Sequence, residues 1–352
     1  MDLIQLHSGN GDKLINDNKD FLVHGESRIG GRPENQDTMG ARETPLGYVV
    51  TVCDGMGGGP GGKTASMIAV NTILDTMGGA DKDADAAETV ADALKKANRS
   101  ILDVASENPR LRGMGSTATV VLMSEKSAIV AHVGDSRIYQ IRGHKKVFRT
   151  FDHSVVFNLV RQGVITEEQA RLSDQSNIIT RALGVGDEVV PEVAELPYEK
   201  DDRFVLCSDG IHGAMSEKEF IKLISDRSKS LGAVTDDVAT LVDNLGRTNG
   251  GHHDNLTIVV AEPKINSKIK PKMSKTTKIV FQVLAAVCAV SILLNVFFVC
   301  SNRTGAGAKD ADSIAVMLKK DSLKSDTIKQ LKDSLAEKSK VLDKIESIMN
   351  RK

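Results

Sequence analysis

Four aspartates stand where catalytic carboxylates are often found. Asp54 closes the apolar run YVVTVCD, and Asp209 closes FVLCSD. Asp254 opens DNLTIVV, and Asp37 ends the loop RPENQD. A fifth, Asp135, lies in HVGDSRIY between two strand-like runs. In antiparallel neighbours the end of one strand lies beside the start of the next, so Asp54, Asp209 and Asp254 can meet at one sheet edge. Carboxylates brought that close repel unless a cation neutralises them. Ligand sets made only of oxygen suit hard ions such as Mg2+ or Mn2+. No His or Cys is placed comparably, which argues against zinc. A lone aspartate at a strand end is ordinarily a turn former. The combination, with Asp54, Asp209 and Asp254 each beside Gly or Asn, points to a metal centre.

A second chemistry is spelled inside the same stretch. GGGPGGKT, residues 57–64, fits GxxxxGK[ST], the pattern of a phosphate-cradling loop, and it follows a strand-like run and precedes a helix-like one. Against a nucleotide loop, the surrounding elements do not alternate as parallel βαβ units, and no later strand reads as its acidic partner.

The elements that must position these residues are mixed. Strands are expected over 47–53, 116–123, 127–133, 136–142, 203–208 and 256–261, all rich in Val, Ile, Leu, Thr or Tyr. The short breaks at 124–127 and 134–136 make three of them consecutive hairpins, hence antiparallel. Helices are expected over 62–78, 84–106, 153–163, 217–227 and 233–246. The expected class is α+β, an antiparallel sheet system covered by helices.

Composition divides the 352 residues further. Residues 1–19 form a polar N-terminal extension with no signal peptide, and 20–262 form the main domain. Residues 263–278 are a basic juxtamembrane linker. Residues 279–300 carry no charge and, at ~1.5 Å per residue, are long enough for one transmembrane helix. Lys264, Lys268, Lys270, Lys272, Lys275 and Lys278 crowd its N-terminal flank, which places the main domain in the cytoplasm. The polar tail, 301–352, is then outside the cytoplasmic membrane. Its Ile328, Leu331, Leu335, Leu342, Ile345 and Met349 follow a three/four spacing suited to a short helix or a self-associating coiled coil. A net charge of −1, 3% aromatic residues and no Trp give no footing for nucleic acid. The four cysteines show no CxxC spacing and read as reduced thiols.

Taken in order, RIGGRPENQD, CDGMGG, GSTATVV, VGDSRIY, DHS, ITRALG, CSDGI and DNLTIVV make residues 20–262 resemble a bacterial-type member of the metal-dependent type 2C protein serine/threonine phosphatases. The resemblance implies a four-layer α-β-β-α sandwich, two antiparallel sheets flanked by helix pairs, with a two-metal centre at one edge. It implies that Asp37, Asp54, Asp209 and Asp254, with the backbone carbonyl of Gly55, ligate two Mn2+ or Mg2+ ions, and that Asp54 bridges them. A hydroxide shared by two such ions attacks phosphorus in line, with no phosphoenzyme. Arg32 matches the phosphate-binding arginine, whose planar fork holds two phosphate oxygens. The substrates implied are phosphorylated proteins, and the enzyme would oppose a cytoplasmic Ser/Thr kinase. The competing reading is a catalytically silent, membrane-anchored phosphoprotein-binding scaffold.

Three positions depart from the family pattern. Gln36 replaces a common Glu, which weakens a water-mediated contact to a metal. Met56 replaces the histidine of animal members, so metal-bound water would protonate the leaving group. Gly213 replaces an aspartate that, with Asp135, would hold a third ion, which puts that ion in doubt. His212 beside it reads as an exposed, incidental histidine. Residues 152–184 match the family's variable flap and would contact the protein substrate.

Overall fold

The computed structural model describes residues 4–8, 11–57 and 60–269. The expected transmembrane segment, the tail and most of the linker lie outside them. Among the described residues, no helix is long and apolar enough to cross a membrane.

The chain opens with five strands, β1 (Ile4–Ser8), β2 (Gly11–Asp17), β3 (Phe21–Arg28), β4 (Asp37–Thr44) and β5 (Gly47–Met56). Two helices follow, α1 (Pro60–Gly78) and α2 (Ala86–Glu107). Then come β6 (Gly115–Ser116), β7 (Ala118–Met123), β8 (Ala128–Val133), β9 (Arg137–Arg142) and β10 (Lys145–Arg149). The flap carries α3 (Val155–Arg161) and α4 (Glu167–Arg171), and β11 (Glu192–Leu196) and β12 (Arg203–Cys207) return to the sheets. The chain closes with α5 (Asp209–His212), α6 (Glu217–Ile224), α7 (Leu231–Thr248) and β13 (Leu256–Pro263).

One sheet has seven strands in the order β1-β2-β3-β13-β12-β9-β10, and the other runs β11-β8-β7-β5-β4 with β6 added to β5. The named strand pairs are all antiparallel. The two sheets face each other because their strands are apolar on both sides. On β5, Val50 and Val52 enter the core between the sheets, while Val49 and Cys53 pack under α1 and α2. On β12, Phe204 and Leu206 point inward, while Val205 and Cys207 meet α6 and α7. This period of two, with helices over each outer face, gives the expected layers. Helix α2 shows the complementary period, burying Val90, Ala93, Leu94, Ala97 and Ile101, and Asp85 caps it by accepting from the Ala87 and Glu88 amides.

Three differences from the sequence reading have physical reasons. The polar extension over 1–19 is not outside the fold, since β1 and β2 extend the larger sheet outward from β3. β1 is an edge strand and β2 buries only Leu14, so their polarity hides them. Strands β3 and β4 are not among the expected ones, and each contains a glycine that interrupts its apolar pattern and that packing requires. A Cβ on Gly25 would sit 2.9 Å from Met39 Sδ, and one on Gly40 2.7 Å from Val70 Cγ1. Finally, the linker starts later than position 263. Pro263 ends β13, and Ile265 packs against the core between the sheets. The Ser267 amide donates to Tyr198 O at 2.9 Å and the Ile269 amide to Lys126 O at 3.0 Å.

Candidate metal and phosphate site

The sandwich brings the strand-end aspartates to one edge. Asp37 and Asp54 are direct cross-strand partners at the start of β4 and near the end of β5. Asp209 follows β12 and begins α5, and Asp254 precedes β13, the antiparallel neighbour of β12. Ser208 ties the two sheets together here. Its hydroxyl donates to Asp37 Oδ2 at 2.8 Å and accepts from the Thr257 amide at 3.0 Å. Asp54 is held through its backbone. Its amide donates to Thr117 Oγ1 at 2.9 Å, and its carbonyl accepts from the Thr117 amide at 2.8 Å and the Ser116 hydroxyl at 3.0 Å. Asn255 fixes the preceding loop. Its side chain donates to Ile29 O at 2.7 Å and Glu34 O at 3.0 Å and accepts from the Gln36 amide at 2.9 Å. Ser208, Thr117 and Asn255 lie inside motifs quoted above, but hydroxyls and amides are too common to be singled out by type.

The carboxylates are held in an electrostatically costly arrangement. Burial pushes Asp37 up to about 6, and Asp254 adds to the shift against hydrogen bonds from Thr257 and Ser208. Burial, with the charges of Asp254 and Asp37, pushes Asp209 up to about 7. Asp54 is raised well above the usual carboxylate range by burial and by Asp37, Asp209, Asp135 and Asp254 in turn. Apart from a proton shared between carboxylates, Asp37 Oδ1 and Asp209 Oδ1 are buried without a hydrogen-bond partner. Buried polar atoms are rarely left so. A divalent cation satisfies both facts at once, by neutralising the cluster and filling the orphaned lone pairs, and the donor set is all oxygen. The residues present therefore fit the metal pair that the sequence reading expects.

Arg32 reaches the same edge, where its Nη2 donates to Asp254 Oδ2 at 2.8 Å with both side chains about half exposed. Its loop passes so close to the strand entrance that a Cβ on Gly30 would lie 2.1 Å from Asp254 O, and Gly30 has φ +64.

Asp135 is also buried beside this edge, and its carboxyl is raised well above the usual range by burial and by Asp209. His212 is not the exposed residue expected. It is 8% exposed, burial keeps it neutral, and its Nε2 lies 3.1 Å from Asp135 O. Since that carbonyl only accepts, the ring carries its proton on Nε2. With Gly213 in place of a carboxylate, no second acidic side chain of α5 joins Asp135. The flap lies alongside. Asp135, Arg137, Phe157, Arg171, Asn177 and Asp209 are among the residues lining a cavity of about 140 Å3 between it and the site. Arg137 grips Asp152 with two bonds of 2.7 Å, and Arg149 holds Glu167 of α4 at 2.6 and 2.9 Å.

A second cluster was not foreseen. His132, His153 and Glu192 place ligand atoms within 4.8 Å of one another. The Gly134 amide donates to His153 Nδ1 at 3.1 Å, so a neutral His153 carries its proton on Nε2, which faces Glu192 Oε1 at 3.1 Å. In that tautomer the nitrogen has no lone pair for a metal.

The phosphate-loop spelling is resolved by its surroundings. A Cβ on Gly55 would lie 2.0 Å from Gly62 O, and one on Gly62 2.6 Å from Gln36 Oε1, so these glycines let α1 pack directly on the strand ends. Lys63 turns away from any phosphate cradle, and its Nζ donates to Asp37 O at 2.9 Å. The sheet behind it is antiparallel.

Comparison with known proteins agrees with this architecture. Residues 24–246 match the family model described as protein phosphatase 2C. The serine/threonine phosphatase stp of Listeria monocytogenes is 32% identical over 245 residues, spanning 67% of this chain and 93% of that protein. The crystal structure of serine/threonine phosphatase Stp1 from Staphylococcus aureus superposes with a TM-score of 0.63 at 27% identity, covering 73% of this chain and 98% of its own. The catalytic domain of the serine threonine protein phosphatase PstP, solved in complex with 2 manganese ions, superposes with a TM-score of 0.58 at 27% identity, covering 69% of this chain and 98% of its own. With the match spanning more than half of the sequence and both sheets of the sandwich in place, the chain belongs to the protein phosphatase 2C family.

Proposed function

We propose that this chain hydrolyses phosphoserine and phosphothreonine in proteins, using two divalent cations, Mn2+ or Mg2+, held by Asp37, Asp54, Asp209, Asp254 and the carbonyl of Gly55. The observation that carries this reading is the cluster of carboxylates at the sheet edge, with buried, orphaned oxygens on Asp37 and Asp209. When bound, such a pair supplies Lewis acidity, which lowers the pKa of water and offsets charge on the phosphoryl oxygens. The chain's own residues do the rest. Asp54 and Asp37 are fixed by strand pairing and by Thr117 and Ser208, so no reorganisation is needed as charge develops. Arg32 offers its fork to the non-bridging oxygens once it leaves Asp254. Met56 has no proton to give a leaving group, and the Nε2 proton of His212 is engaged by Asp135 O. A third ion is not held firmly, because Asp135 lacks a carboxylate partner at position 213.

Replacing Arg32 with alanine is expected to lower kcat/KM for a phosphothreonine peptide about 10- to 100-fold, chiefly through KM, with lysine restoring only part of the loss. Steady-state phosphate release measures this. An unchanged KM would remove Arg32 from phosphate binding.

We further propose that residues 279–300 anchor the enzyme as a single-pass protein of the cytoplasmic membrane. The domain over 20–262, with its added N-terminal strands, then faces the cytoplasm, and the tail over 301–352 lies outside, where it self-associates. The uncharged run and the lysines before it support this reading. Its place at the membrane suits opposition to a cytoplasmic Ser/Thr kinase. The full chain is expected to stay with membranes after a carbonate wash, and a chain ending at 269 to wash off. Equal release of both would contradict the anchor.

A further inference from the structure

Lys63 is an unusual residue for its position. Helix α1 begins at Pro60 and has no acidic residue in its first turn. The unpaired amides of a helix N-terminus are partially positive, so a lysine four residues in is electrostatically unfavourable. Lys63 is nevertheless half-buried there. Its Nζ donates to Asp37 O at 2.9 Å and reaches Thr38 Oγ1 at 3.4 Å. The charges of Asp12, Asp37 and Glu34 face it. One turn on, the Ser66 hydroxyl donates to Gln36 O at 2.6 Å, so α1 clamps Gln36–Thr38 at two points. Burial works against the ammonium there, and the nearby carboxylates work in its favour.

We infer that Lys63 is a positioning residue that gives the carboxylate edge a built-in counter-charge, stabilising it empty and lowering its affinity for divalent cations. This rests on reading that edge as the metal centre. Anything that favours the empty form over the bound form weakens binding by the same free energy. A fixed positive charge repels an incoming cation with an energy that falls with distance and with added salt. The hydrogen bond to Asp37 O acts the other way, by orienting Asp37 for a ligand. The sign of the effect therefore separates charge from orientation.

The test is calorimetric titration of Mn2+ into metal-stripped full-length protein, beside Lys63→Gln and Lys63→Arg. Glutamine keeps a donor and removes the charge, and arginine keeps both. We expect Lys63→Gln to bind Mn2+ at least about threefold more tightly at low ionic strength, with the gap closing in about 0.5 M KCl. Its Tm should fall without metal and recover more than wild type on adding Mn2+, while Lys63→Arg stays within about twofold of wild type. Lys63→Met is the second neutral variant if glutamine folds poorly. Weaker Mn2+ binding by both neutral variants would overturn the inference in favour of orientation. Unchanged affinity, with equal loss of Tm in both forms, would overturn it in favour of packing alone. A wild-type protein that binds no Mn2+ would overturn the metal-centre reading as well.

Discussion

Asp54→Asn and Asp209→Asn are each expected to cut kcat/KM for a phosphothreonine peptide by about 10³-fold or more, while raising the Tm of the metal-free protein by a few degrees. The two effects share one cause. Each carboxylate is held against burial and like charge, and is tolerable at neutral pH only when protonated or bound to a cation. An amide removes a negative charge and supplies an N–H donor to an edge that includes the orphaned Asp37 Oδ1. The empty site is thereby relieved, and its use for cations is lost. Phosphate release with Mn2+ and thermal melts in EDTA measure the two halves. Near wild-type turnover by either variant would show that the ligand set is wrong. Turnover lost together with a large fall in metal-free Tm would show a structural role instead.

The second large effect concerns pH. In the metal-free protein Asp37 and Asp209 hold their protons up to about 6 and about 7, well above the ordinary carboxylate range. A carboxyl raised in the folded state contributes stability that is fully present below its unfolded pKa and lost as pH rises through its folded pKa. The metal-free domain should therefore lose stability from these groups between about pH 4 and pH 7.5. Cations compete with the same protons, so their stabilisation runs in the opposite direction. The Tm gained on adding saturating Mn2+ is expected to grow by about 5–10 °C between pH 5 and pH 7.5. Paired melts with Mn2+ and with EDTA across that range measure it. A gain that is flat or falls with pH would mean that these carboxyls do not face the cation.

The legible part of this site was the part attached to strongly apolar strands. YVVTVCD and FVLCSD announce themselves as buried strands, and their last residues must then emerge at an edge. Asp37 opens a strand whose apolar pattern is interrupted by Gly40, and its place among the ligands rested on the family resemblance rather than on pattern. Ser208 and Asn255 were invisible for a different reason. Their roles depend on which loop lies across from them, and sequence spacing carries no such information over separations of 171 or 219 positions. His212 misled because a histidine amid glycines reads as a loop residue, whereas α5 turns it beneath Asp135. The polar strands β1 and β2 were missed because β1, at the sheet edge, bonds through its backbone with no need of an apolar signature, and β2 beside it buries only Leu14.

Lys63 shows how a correct spelling can carry the wrong meaning. GxxxxGK[ST] specifies a tight glycine turn followed by a helix with a lysine near its start. The fold demands glycine at the same two positions for other reasons, because the backbone of Gly62 in α1 meets that of Gly55 on the strand end and Gly57 takes φ +131. The lysine then points at a carbonyl of the site rather than at a bound phosphate. Shared backbone geometry, not shared chemistry, produces the match.

The measurement that bears most directly on the central claim is phosphate release from a phosphothreonine peptide by the purified full-length protein. The account predicts turnover with Mn2+, its complete loss in excess EDTA, and its return when Mn2+ is restored. No turnover with Mn2+ or Mg2+, or turnover that survives EDTA, would contradict it.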